Sequence, residues 1–168
     1  MKQGLKQFFE WINRIAEWVC YLLLATLVGI IVLQVFLRYV LKSPVSWSEE
    51  VALLLLVWFG MLAVAIAIYR HTHMSITVIW DRLSPTAQHV LNIAVEILVL
   101  TFALSITINA GMLIEVVGEQ ALSASGFPKA WLYLPLQIGG GLMAMNSIGN
   151  LLLNHYPGKD AGSTGIEI

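Results

Sequence analysis

The chain is 168 residues long, 58% hydrophobic and only 11% charged, with a formal net charge of −1. Ordinary globular proteins carry about a quarter of their residues charged, so this composition excludes a conventional soluble domain, and the near-neutral balance offers no basic surface to nucleic acid. The single cysteine, Cys20, excludes an intramolecular disulfide and reads as a packing thiol.

The charges gather in islands at 2–17, 38–50, 70–82, 115–129 and 159–167. The runs between them are long enough to cross a bilayer, which takes about 20 apolar residues. The predicted fold is an all-α integral membrane protein. It has four transmembrane helices, an amphipathic N-terminal segment and a short interfacial segment between helices 2 and 3. One membrane domain covers 1–156, with spans at about 18–39, 48–69, 88–115 and 130–154, and a flexible tail covers 157–168. The first run follows the acidic residues Glu10 and Glu17 and lacks a prompt small-x-small cleavage site, so it reads as a retained span rather than a signal peptide.

In residues 2–17, Leu5, Phe8, Ile12, Ile15 and Ala16 share one helical face, with Asn13 among the polar remainder. The segment is either a helix lying at the interface or the wet lower turns of helix 1. Helix 1 carries Gln34, able to bond a neighbouring helix, and ends at Arg38-Tyr39, where Arg38 can snorkel to headgroups. Pro44-Val45-Ser46-Trp47-Ser48-Glu49-Glu50 then opens helix 2. Its serines suit N-capping, Glu49 and Glu50 complement the positive helix end, and Trp47 suits an interfacial anchor. Within helix 2, Gly60 and three alanines give small-residue surface for close helix contact. Trp58 lies mid-span, where a tryptophan packs against protein more often than lipid.

Arg70-His71-Thr72-His73 ends helix 2, and 74–83 is too short to span and should lie on the surface with Trp80 in the headgroups. Helix 3 begins at Ser84-Pro85, runs to about Val117 and carries Glu96. An intramembrane carboxylate is either a coupling site for protons or cations, or a polar contact to a basic residue or partner subunit; the second reading is favoured. Helix 4 places Asn146, Asn150 and Asn154 on one face, suited to interhelical bonding. The four histidines cluster at helix ends on one side, away from haem-binding depth. No metal-binding, nucleophile or phosphate-loop motif is present, so no enzyme activity is expected. Six basic residues on one side against three on the other favour both termini in the cytoplasm. Arg38, Glu49 and Glu50 share the opposite edge, as a solvated hairpin or as a fixture against another membrane subunit.

Arg38-Tyr39, Trp47-Ser48-Glu49-Glu50, Trp58, Gly60, Arg70 and His73 resemble, in order and spacing, the pattern of the small membrane subunit of TRAP transporters, the DctQ-like family. The resemblance spans the four-helix chain; its motifs lie between 38 and 73, and helices 3 and 4 match in length and character. It implies a non-catalytic scaffold, in the bacterial inner membrane with cytoplasmic termini, supporting a large elevator-type subunit that takes up an organic acid with sodium. It implies a periplasmic binding protein as second partner, membrane lipids around the chain, and no cofactor here, the sodium ions binding in the large subunit. It leaves Arg38, Tyr39, Trp47, Glu49, Glu50, Trp58, Gly60, Arg70 and His73, with Glu96, as interface or structural candidates. Placed on the periplasmic side, Glu49 or Glu50 is expected to pair with Arg38 or with a basic residue of the large subunit. The rival readings are a four-helix proton-coupled exporter using Glu96 and a membrane anchor for a haem or redox enzyme.

Overall fold

A computed structural model describes residues 2–42, 46–70 and 85–153. Four helices account for almost all of them: α1 (Lys2–Tyr39), α2 (Trp47–Tyr69), α3 (Pro85–Val117) and α4 (Ala130–Leu153). Three of them, α1 to α3, are each long and apolar enough to cross a membrane. The interfacial segment at 74–83, His71, His73, Asn154 and the tail at 157–168 lie outside the described residues.

α1 is one unbroken helix of 38 residues, about 57 Å at 1.5 Å per residue, against a hydrocarbon core of about 30 Å. Residues 2–17 are therefore its first turns and not a separate interfacial element. Its buried seam is Phe9, Asn13, Ala16, Cys20 and Leu27. Those spacings of four, three, four and seven are the heptad of two helices wound together. The seam corrects the expected apolar face: Phe8 and Ile15 point outward, and Asn13, counted as polar surface, is 1% exposed.

The helices lie side by side in the order α1, α2, α4, α3. α4 packs along α2 on one flank and α3 on the other, and α1 packs along α2. A closed four-helix bundle would bring α1 against α3 as well; here neither these two nor α2 and α3 share an extensive interface. Two clusters fill the row. Ala16, Cys20, Leu62 and Ile66 join α1 to α2, and Ala65, Ile68, Ala103, Met143 and Ala144 join α2, α3 and α4. Leu142 touches both clusters.

α4 is the least suited to lipid by composition, because Gln137, Asn146, Ser147 and Asn150 interrupt it. Like α2, it has neighbours on two flanks. Burial against protein rather than lipid relieves it of the need for a continuous apolar surface. Gly139 and Gly140 make that packing close. A Cβ on Gly139 would lie 2.8 Å from Met61 Cβ on α2, and one on Gly140 would lie 2.5 Å from Thr107 Oγ1 on α3. Adjacent helical residues are about 100° apart, so two consecutive glycines serve two neighbours. Gly60, expected to make such a contact, does not: nothing lies within 4 Å of its Cβ position.

α4 also contains a buried Pro135, which has no N–H to give the carbonyl of Trp131 one turn earlier. The indole Nε1–H of Trp58 donates to that carbonyl instead, at 3.1 Å. Trp58 thus packs against protein because it repairs a helix bond that proline removes. Beside it runs an apolar groove of about 430 Å³ lined by Leu23, Leu54, Phe127 and Trp131.

Candidate functional site

The residues able to do something other than pack apolar surface fall into three groups. The first is a buried polar chain that crosses all four helices. Asn13 of α1 and Asn146 of α4 exchange reciprocal amide bonds, both 2.9 Å. The second N–H of Asn13 goes to the Phe9 carbonyl, and that of Asn146 to the Ala65 carbonyl of α2, each at 2.9 Å. One turn further along α4, Asn150 Nδ2 donates to the Ile68 carbonyl at 3.1 Å and to Glu96 Oε1 of α3 at 2.9 Å. The Ile68 carbonyl belongs to the last turn of α2. The Ser147 hydroxyl sits 2.6 Å from Glu96 Oε2 and 2.9 Å from the Glu96 carbonyl oxygen. Asn13, Glu96, Asn146, Ser147 and Asn150 are all at most 5% exposed.

This chain places the predicted Asn146, Asn150 and Glu96 together and adds Asn13 and Ser147. The carboxylate of Glu96 is held by α4 side chains at both oxygens, which is the arrangement of a structural contact between helices. Asn13 was detectable. Continuing the seam of Ala16, Cys20 and Leu27 back at heptad spacing reaches Asn13 and Phe9, whereas a helical face drawn on 2–17 alone is rotated away from it. Ser147 carries no comparable signal, since serines are common on any helix face.

The second group closes the same end of the row. Arg70, the residue after α2, donates through Nε to Glu17 Oε1 of α1 at 2.9 Å, with Nη2 on the same oxygen. Arg70, an interface candidate by sequence, therefore has an internal partner.

The third group lies at the opposite end. Glu49 and Glu50 are consecutive and serve different neighbours. Glu49 Oε1 accepts from Gln34 Nε2 of α1 at 3.3 Å. Glu50 accepts from the α3–α4 loop: the Ala124 N–H at 2.9 Å, the Ser125 N–H at 2.7 Å and the Ser125 hydroxyl at 2.7 Å. That loop is a short hairpin with Ala121 bridged to Pro128, and it turns through Gly126 at φ 73°. Its tip presents successive N–H groups, a natural cradle for a carboxylate.

The internal ion pair expected between Arg38 and Glu49 or Glu50 is thus replaced by an amide and a loop. Among the described residues, the ion pairs are Lys6–Glu10 and Glu17–Arg70. The capping expectation changes too. Ser46 has helical backbone angles and makes no side-chain cap bond, and Ser48 is buried inside the first turn. Arg38, Tyr39 and Trp47 remain on the outside, Tyr39 at 73% exposure. Glu50→Gln removes the charge that two backbone N–H groups and a hydroxyl share. Hydrogen exchange at 122–127 should then run several-fold faster than in wild type, with exchange in α4 unchanged; unaltered exchange in the loop would show that the clasp does not hold it.

Among the described residues no group of three or more His, Cys, Asp or Glu is placed to hold a metal. What the three groups do chemically is bond helices to one another.

A family profile described as tripartite ATP-independent periplasmic transporters, DctQ component, matches residues 27–154. The chain is 31% identical over 151 residues to the sialic acid TRAP transporter small permease protein SiaQ of Vibrio cholerae, covering 86% of this chain and 83% of that one. It is 27% identical over 157 residues to the sialic acid TRAP transporter permease protein SiaT of Haemophilus influenzae, covering 89% of this chain. It spans only 24% of SiaT. A similar relation holds with the isethionate TRAP transporter permease protein DctMQ of Oleidesulfovibrio alaskensis, at 29% identity, 74% of this chain and 21% of that protein.

Proposed function

Because the chain belongs to the DctQ component family of tripartite ATP-independent periplasmic transporters, a family of multi-pass permease subunits and not of enzymes, we propose that it is the fixed scaffold on which a larger permease subunit moves an organic acid. The observation that carries this reading is the polar chain from Asn13 to Glu96, which bonds all four helices into one row. A subunit that changes shape during transport needs interfaces that can be remade. Buried, mutually satisfied amides instead favour one arrangement. SiaT and DctMQ support the identity of the partner, since each carries a region like this chain within a protein at least four times the matched length. The small subunit and a large permease are, on this reading, two parts of one machine that some relatives make as a single chain.

The row leaves Arg38, Tyr39, Trp47 and Gly60 unburied by its own helices, and these are the residues proposed to meet the large subunit, together with His73. Sodium ions bind in that subunit and no cofactor binds here. A periplasmic binding protein supplies the organic acid. The termini are cytoplasmic, so Glu50 and the α3–α4 loop face the periplasm and the Glu17–Arg70 pair faces the cytoplasm.

The test is purification and uptake with and without the large permease. One-to-one co-purification, with uptake requiring both chains, supports the scaffold; transport by this chain alone in liposomes overturns it. Glu96→Gln sharpens the result. A glutamine can accept from Asn150 and donate to the Ser147 hydroxyl, so uptake should stay within about twofold of wild type, while Glu96→Leu leaves one Asn150 N–H without its acceptor, the Ser147 hydroxyl keeping the residue-96 carbonyl, and should lower stability by about 1–3 kcal/mol. Abolished uptake in a stably folded Glu96→Gln protein would make Glu96 a coupling site instead.

A further inference from the structure

Two neighbouring cavities lie around the Glu17–Arg70 pair of α1 and α2. The first, about 260 Å³, is lined by Cys20, Tyr21, Ala63, Ile66 and Ala67. The second, about 170 Å³, is lined by Glu10, Asn13, Arg14 and Tyr69. Glu17 and Arg70 line both. One half is mostly apolar, with the small side chains of Cys20, Ala63 and Ala67 beside Tyr21 and Ile66. The other carries carboxylates beside guanidinium groups, immediately past the end of α2 where the apolar span stops. Tyr21 and Trp18, both more than 60% exposed, flank the boundary, as aromatic side chains do at headgroup depth.

We propose that this bipartite groove holds one aminophospholipid, a lipid with a phosphodiester and a primary ammonium, as in phosphatidylethanolamine. The phosphate is bound by Arg14 and by the outward donors of Arg70. That side chain is 58% exposed and directs only Nε and Nη2 at Glu17. The ammonium is bound by the rim of Glu17 and by Glu10, whose pairing with Lys6 is long at 3.9 Å and exposed at both partners. One acyl chain lies over Ala63, Ala67 and Cys20. Charge complementarity selects this ligand. A lipid whose headgroup is only anionic would satisfy the arginines and face two carboxylates, and a quaternary ammonium could make no N–H bonds to them. A phospholipid here would add to the contact that the Glu17–Arg70 pair and the Ala16, Cys20, Leu62 and Ile66 cluster make between α1 and α2. This inference rests on the membrane-spanning fold and not on the scaffold reading.

The test is native mass spectrometry of the full chain, delipidated in detergent and titrated separately with phosphatidylethanolamine, phosphatidylglycerol and phosphatidylcholine of matched acyl chains. The first phosphatidylethanolamine should bind about tenfold more tightly than the first of either other lipid, because charge-assisted bonds are formed at both ends of its headgroup. Ala67→Phe fills the apolar half without removing a polar group. Arg14→Gln removes one phosphate ligand from an exposed position and leaves the Glu17–Arg70 pair intact. Each should abolish the preference. Equal binding of the three lipids, tighter binding of phosphatidylglycerol, or a preference that survives both substitutions overturns the proposal. So does a complex with the large permease that retains no phosphatidylethanolamine, since the groove would then be filled by that subunit.

Discussion

Replacing Asn146 with leucine is expected to lower the stability of the isolated chain by about 2–3 kcal/mol, a fall of roughly 5–10 °C in its thermal midpoint in detergent. Leucine has the same number and branching of side-chain heavy atoms as asparagine, so the change is mainly one of bonding. Asn146 is fully buried and joins α4 to α1 and α2 at once. Its loss leaves Asn13, itself 1% exposed, with an unmet carbonyl and an unmet N–H. The Ala65 carbonyl keeps its helical donor, so the damage concentrates on Asn13. Interhelical bonds in membrane proteins average only about 0.6 kcal/mol, and the orphaned partner, not the missing bond, supplies most of the effect. The double variant Asn13→Leu/Asn146→Leu should therefore lose less than the sum of the two single variants, by at least about 1 kcal/mol. Strict additivity, or a single variant with an unchanged midpoint, would show that the pair does not couple the helices. Co-purification with the large permease should fall in parallel, because a scaffold whose first helix has loosened presents a different surface.

The membrane class, the helix count and the extents of α2 and α3 were legible in the sequence because lipid imposes one rule throughout: long apolar runs interrupted by charge. The order of helices in the row was not, since it depends on which small residues meet which neighbours. Gly60 and Gly139 look alike in the sequence, and only one has a backbone against it. The pairing of carboxylates was likewise illegible. Glu50 finds donors 74 and 75 residues away, on a loop whose N–H groups are exposed by its own turn. A charge-based reading searches for cations and overlooks backbone N–H groups, which bind a carboxylate as well as an arginine does and leave no trace in composition. Asn13 was missed for a narrower reason. The polar residues around it suggest a wet surface helix, and the seam becomes visible only when its register is carried down from the transmembrane part of α1. Glu96 was favoured as a polar contact to a basic residue or a partner subunit on the cost of a buried charge; the partners it finds within the chain are Ser147 and Asn150 of α4.

The run of three consecutive glycines at 139–141 in α4 supplies a second large effect with its own control. Gly139→Val and Gly140→Val should each destabilise the chain by about 3 kcal/mol, the upper end of the usual cost of overpacking. At Gly139 the obstacles are Met61 Cβ at 2.8 Å and the Met61 backbone at 3.3 Å, none of which can swing aside. At Gly140 the Thr107 hydroxyl could rotate, but the Ala103 carbonyl at 3.2 Å belongs to the backbone of α3. Either substitution must move a whole helix, away from α2 in the first case and from α3 in the second. Gly141 has nothing within 4 Å of its Cβ position, so Gly141→Ala should be neutral or should stabilise the chain by up to about 1 kcal/mol through helix propensity alone. Thermal melts of the three variants in one detergent decide the matter. If Gly141→Ala is as damaging as the other two, the glycine run acts through helix flexibility rather than close approach. If Gly139→Val and Gly140→Val are tolerated, α4 is not wedged between α2 and α3 as described. The two valine variants should also differ in the complex. Gly139→Val parts α4 from α2, the helix that carries Trp47, Glu50 and Gly60, and is expected to reduce co-purification with the large permease more than Gly140→Val at equal loss of stability.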